Sequence, residues 1–189
     1  MGKCKEYFNL VLTFLKNEES IKTVYLAGYW SYLAAGRFAI VHDNWRLPRP
    51  VSPEDSLSFQ KNGATLISTL ISAKKEVVFI RDVPDFDFDI NSCLAPRPFS
   101  ITTKIIRRPC AIDKAEYEKR MLSYNSSLSE LLNKFPNIKV FDPKTTMLCD
   151  NKFCWASKND ALLYYNGDHL NTYGADLVVK ELLSKYPVK

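Results

Sequence analysis

No run of about 18 apolar residues occurs anywhere in this chain of 189, so no segment of it can cross a membrane as a helix. Internal repeats and low-complexity tracts are also missing, and with them the signatures of repeat arrays and disordered linkers. The surplus of one charge is small: 26 Lys and Arg against 21 Asp and Glu leave a net +5. Its densest basic cluster, Lys104, Arg107 and Arg108, is too small for a nucleic-acid footprint, so no nucleic-acid partner is expected. The opening residues carry Lys3, Lys5, Glu6, Lys16, Glu18 and Glu19 around a helical pattern, which is not a signal peptide. On that ground alone the chain reads as cytoplasmic.

The cysteines argue the other way. Cys149 and Cys154 flank a short polar loop, and a bridge closing it is geometrically feasible and expected only in an oxidising compartment. A disulfide is the expectation there, with free thiols or half of a zinc site as alternatives. A zinc site lacks the second Cys or His pair it needs for four ligands, and no metal or other cofactor is expected. Cys93 and Cys110 flank a Pro/Arg-rich loop and can pair as well. Cys4 is then left over, which points to a partner outside this chain.

With 46% hydrophobic and 25% charged residues, the composition is that of one globular domain with a real core. Helical and strand patterns alternate. Glu6 to Leu15 predicts a helix with Tyr7, Phe8, Leu10, Val11, Phe14 and Leu15 on its apolar side. Thr23 to Ala27 reads as a short buried strand, followed by a long aromatic- and proline-rich loop from Gly28 to Pro50. Ser52-Pro53-Glu54-Asp55 starts a helix, with a serine cap, proline at the first position and acids in the first turn. Phe59, Leu66, Ile67, Leu70 and Ile71 share its apolar face.

Glu76 to Ile80 is an apolar run of the kind found in parallel sheets buried on both faces. Pro84 to Pro109 is loop, alternating Asp and Phe in its first half. Asp113 and Glu116 form a capping box for one long helix carrying Tyr117, Met121, Tyr124, Leu128, Leu131 and Leu132. Ile138 to Phe141 is a third strand and Ala161 to Tyr165 a short extended piece. The last helix, Thr172 to Ser184, buries Leu177, Val178, Leu182 and Leu183. This alternation predicts an α/β fold: an open, mostly parallel sheet covered by helices. Ligands in such sheets bind beyond the carboxyl ends of the strands, where Gly28-Tyr29-Trp30, Arg81-Asp82 and Asp142 fall. Histidine is the scarcest useful side chain, represented by His42 and His169 alone. His42 lies in the loop before Pro50 without a partner motif and reads as a surface residue. His169 sits on a turn entering the last helix, where it can face a cleft.

The segment Tyr165-Asn166-Gly167-Asp168-His169-Leu170 resembles the last catalytic block of the SGNH hydrolases, in which an Asp-x-x-His pair supplies acid and base. The resemblance extends over Thr23 to Trp30, Arg81-Asp82-Val83-Pro84, Cys93-Leu94, Tyr117 to Arg120, Tyr124-Asn125, Asp142-Pro143 and the Cys149 to Cys154 loop. This ordered set is similar to the SGNH domain at the C-terminus of bacterial membrane acyltransferases that O-acylate surface polysaccharides. It implies a three-layer, flavodoxin-like sandwich in an extracytoplasmic or periplasmic domain, partnered with a membrane acyltransferase unit and acting on an acylated glycan or acyl donor. It also implies serine-ester chemistry, with histidine as general base and a carboxylate fixing the imidazole.

The residue-by-residue match is incomplete. His169 falls on the family's base. Asn166 falls on its aspartate and brings no charge; in serine proteases the equivalent Asp-to-Asn change costs about 10⁴ in rate. Asp168 is adjacent to His169, and adjacent side chains usually diverge, so it is a poor substitute. The family's Gly-Asp-Ser block has no counterpart, and Ser31, beyond the first strand, reads as a loop serine. Tyr29 and Trp30 are candidate substrate-binding residues, able to stack on a sugar. Residues 1–189 are therefore expected to form a single SGNH-like domain lacking the fold's first strands and inactive alone. The alternative is a non-catalytic carbohydrate-binding or interaction module on the same scaffold, using Trp30, Tyr29 and Trp45.

Overall fold

A computed structural model describes residues 2–36, 38–40, 46–94, 106–145 and 148–188. Helix α1 (Gly2–Asn17) leads into β1 (Thr23–Leu26) and the short α2 (Trp30–Ala35). A hairpin of β2 (Phe38–Ile40) and β3 (Arg46–Pro48) precedes α3 (Pro53–Ser72) and β4 (Glu76–Ile80). Then come β5 (Ala111–Asp113), α4 (Lys114–Arg120), α5 (Leu122–Leu132) and β6 (Lys139–Phe141). The chain closes with β7 (Phe153–Trp155), β8 (Ser157–Lys158), β9 (Ala161–Leu162) and α6 (Thr172–Lys185).

The central sheet has the order β1-β4-β6 and is parallel throughout, with Val24 opposite Val77 and Phe79 opposite Val140. Alternation along the strands sends successive side chains to opposite faces. Val24 and Val77 pack against Leu70 of α3 and Leu12 and Leu15 of α1. The next residue of β1, Tyr25, faces the other way and donates from its hydroxyl to the Tyr186 carbonyl at the end of α6, at 2.7 Å. Helices thus cover both faces, and the expected α/β arrangement with a parallel sheet is present. The apolar centre of β4, with Val78 and Phe79 at 0% and 2% exposure, explains why that strand reads as an unbroken hydrophobic run.

The local capping logic holds at three helices. Ser52 accepts from the Asp55 N–H, Asp113 from Ala115 and Glu116, and Asn171 from Gly174. Four expectations need correction. Of the expected apolar side of α1 only Leu15 packs on the sheet, joined by Leu12, while Tyr7, Phe8, Leu10, Val11 and Phe14 are exposed. The supposed loop from Gly28 to Pro50 contains α2 and the β2–β3 hairpin. The supposed long helix from Asp113 is broken at Met121, whose backbone leaves the helical region at ψ 0°, into α4 and α5. Ile71 and Leu183 lie outward rather than in the core. His42 and Trp45 lie outside the described residues.

Both cysteine pairs are bridged, Cys93 to Cys110 and Cys149 to Cys154. They pin the loop after β4 to the residue before β5, and the middle of β7 to the turn before it. Two disulfides fit an oxidising, extracytoplasmic setting. Among the described residues no helix is long and apolar enough to cross a membrane, and no cluster of His, Cys, Asp or Glu could hold a metal ion.

Candidate functional site

Three loops meet at the carboxyl ends of β1 and β4. The first, Gly28-Tyr29, turns from β1 into α2. A six-residue helix with no side chain of its own to cap it needs acceptors from elsewhere. Asp82, just past β4, supplies them: its two carboxylate oxygens accept from the Trp30 and Ser31 N–H groups, each at 2.8 Å. The Trp30 indole N–H donates to the Ile80 carbonyl at 2.8 Å and its ring stacks on Phe79 at 4.8 Å. One carboxylate and one indole therefore lock the first loop to the second.

The second loop continues through Pro84, Asp85 and Phe86. Asp85 is 2% exposed, and burial of a carboxylate requires a partner. Arg120 of α4 provides it, donating to Asp85 Oδ1 at 2.9 Å and to the Asp85 carbonyl at 2.7 Å. The Tyr29 hydroxyl donates to the other oxygen at 3.2 Å. At the neighbouring strand end, Arg81 donates to Asn125 Oδ1 at 2.7 Å and reaches Asp142 at 3.4 Å.

The third loop is 165–170, tied to the second by the Phe86 N–H donating to the Gly167 carbonyl at 2.7 Å. Asn166 Oδ1 accepts from the backbone N–H groups of Asp168 and His169 at 3.1 and 2.8 Å, making a tight turn. The bridge between Tyr164 and Leu170, with Tyr165 N–H donating to the His169 carbonyl at 2.8 Å, closes it. His169 Nδ1 lies 2.8 Å from Asp168 Oδ1 and 3.0 Å from Asn166 Oδ1. Both neighbours present acceptor oxygens, a setting that suits the tautomer with its proton on Nδ1 and Nε2 as the basic nitrogen.

Gly28, Tyr29, Asp82, Val83, Asp85, Asp168, His169 and Leu170 together line a cleft of about 290 Å³. Burial pushes Asp82 up to about 6, although its two backbone hydrogen bonds oppose the rise. Burial likewise raises Asp85, against the pull of Arg120. Tyr29 is raised by burial and then by the Asp85 and Asp168 charges, so its phenol stays protonated.

The candidates singled out from the sequence separate clearly. His169, Asp168 and Tyr29 share the cleft, and Asn166 shapes the turn beneath His169. Trp30 does not line it. Ser31 is 1% exposed inside α2 and is not among the lining residues. Asp168 was expected to diverge from His169 but lies beside it, because a turn, unlike a strand, can put successive side chains on one side. Asp85 and its partner Arg120 are the residues that sequence reasoning missed. The Asp/Phe alternation after β4 was the available signal: Phe86 and Phe88 fill the core and Asp85 turns inward with them.

An open parallel sheet covered by helices, with a histidine turn at the carboxyl edge, defines an α/β module of the SGNH type. Residues 1–184 match the family described as SGNH domain (fused to AT3 domains), and the chain belongs to that family. It is thus an acyltransferase-associated SGNH module. No curated protein matches the chain.

Proposed function

We propose that this domain handles an ester group for a membrane acyltransferase that O-acylates a surface polysaccharide in the periplasm, with His169 as its general base, and that it does not turn over esters by itself. The observation that carries this reading is the lining of the cleft: a histidine, and no serine, threonine or cysteine among the described residues that line it. General-base catalysis of acyl transfer needs a nucleophile within hydrogen-bond reach of the base. The Tyr29 hydroxyl is no substitute, being committed to Asp85 and held protonated. A serine delivered to the mouth of the cleft by another segment would complete the pair.

The test is hydrolysis of a small acetyl ester by the purified domain. The expected result is a rate no higher than that of His169→Ala. Robust turnover that His169→Ala abolishes would show a nucleophile already in place and overturn the proposal. The rival reading, glycan binding without chemistry, is favoured by the same missing nucleophile and by the Tyr29 ring in the cleft. Binding of an acetylated glycan that survives His169→Ala and is lost with Tyr29→Ala would support the rival.

A further inference from the structure

Deepening the reading of His169 as a base, we propose that Asp168, and not Asn166, is the positioning residue that fixes the imidazole, Asn166 being kept for the turn alone. The two functions that one carboxylate would combine are split between neighbours two positions apart.

The hydrogen bonds divide in this way. Asn166 Oδ1 already accepts from two backbone N–H groups, those of Asp168 and His169, and these bonds set the turn. An amide oxygen with two lone pairs so occupied offers the ring a third, poorer contact, at 3.0 Å. Asp168 Oδ1 stands closer, at 2.8 Å, and is charged; charge-assisted bonds are the shorter and stronger ones. The backbone supports Asp168 as well. The Gly167 carbonyl before it is held by the Phe86 N–H, and its own N–H is held by Asn166. Its side chain is 26% exposed against 69% for the His169 ring, so the carboxylate is the better anchored member.

The surroundings of Asp168 point in the same direction. Asp82 and Asp85 face the same cleft, but both oxygens of Asp82 are used by α2 and those of Asp85 by Arg120 and Tyr29. Among the described lining residues, Asp168 is the carboxylate whose bonded partner is the imidazole. Replacing it removes the charged acceptor that favours the Nδ1–H form, the form in which Nε2 is the base.

The test reads the tautomer and needs no turnover, so its failure is separate from failure of the ester-handling proposal. In protein carrying isotope-labelled histidine, with His42→Gln to leave a single imidazole, nitrogen chemical shifts are recorded at alkaline pH, where the ring is neutral. The expected result is a predominant Nδ1–H form in the parent. Its ratio to the Nε2–H form should fall about threefold in Asp168→Asn, the size expected of a partly exposed charged contact. A parent in which the Nε2–H form predominates would overturn the proposal. So would an Asp168→Asn ratio equal to the parent's, since the Asp168 charge would then do nothing to fix the ring. If Asp168→Asn does not fold, Asp168→Ser, which removes the same charge with a smaller side chain, carries the same expectation and the same refutation.

Discussion

Acid should strengthen this fold between neutrality and pH 5, and Asp82 is the reason. Its carboxylate is buried where the two N–H groups of α2 meet the end of β4, and burial raises it from 3.8 to about 6. A group that binds its proton more tightly folded than unfolded stabilises the fold as pH falls through the folded value. The gain is complete once pH drops below the unfolded value, and it is absent well above the folded one. From pH 7 to pH 5 the folded carboxylate takes up most of one proton while the unfolded one takes up almost none. At about 1.36 kcal/mol per unit, that amounts to roughly 1.4 kcal/mol of added stability. The burial of Asp82, 7% exposed, leaves little solvent screening to reduce it. Urea unfolding at the two pH values, in the parent and in Asp82→Asn, measures the difference. The parent should gain more than the variant, in which only Asp85, also raised by burial, is left to contribute. A parent whose stability falls or stays level over this interval refutes the reasoning, as does an equal gain in Asp82→Asn.

Two further substitutions test how the site is held. Arg120→Met should cost about 3–5 kcal/mol in chemical unfolding, because it leaves the buried Asp85 carboxylate without its cation; a cost under about 1 kcal/mol would show that Asp85 is neutral or resolvated. Gly174→Ala should cost about 1–3 kcal/mol by thermal melting, since the new methyl would run into the Leu163 carbonyl oxygen against which α6 starts. An unchanged melting temperature would mean that α6 can shift outward freely.

Much of the scaffold was readable because its causes are local. The apolar run of β4, the Ser52 cap and the turn chemistry before α6 each depend on residues a few positions apart. Helix α2 was not readable, since its capping carboxylate, Asp82, comes from some fifty residues further along and no nearby side chain announces the helix. The break at Met121 was invisible for a related reason: no Pro or Gly marks it, and the apolar spacing of Tyr117, Met121 and Tyr124 continues through it. In α1 the apolar residues run most of the way round the helix, and the sheet takes only Leu12 and Leu15. His169 was legible from its rarity and its turn. The closeness of Asp168 was not, because it depends on how Asn166 folds the backbone back on itself.

The single backbone bond from Phe86 to the Gly167 carbonyl gives the cleft a life of its own. It is a seam between a loop rooted in the sheet and a loop that merely leans on it. Apart from Leu170 the residues of the histidine loop are polar, glycine or already exposed, so the site can open at a free-energy cost below that of unfolding the domain. A substitution along the seam can therefore silence the site in a protein that melts normally. Thermal stability, in this molecule, is no witness to whether the cleft is assembled.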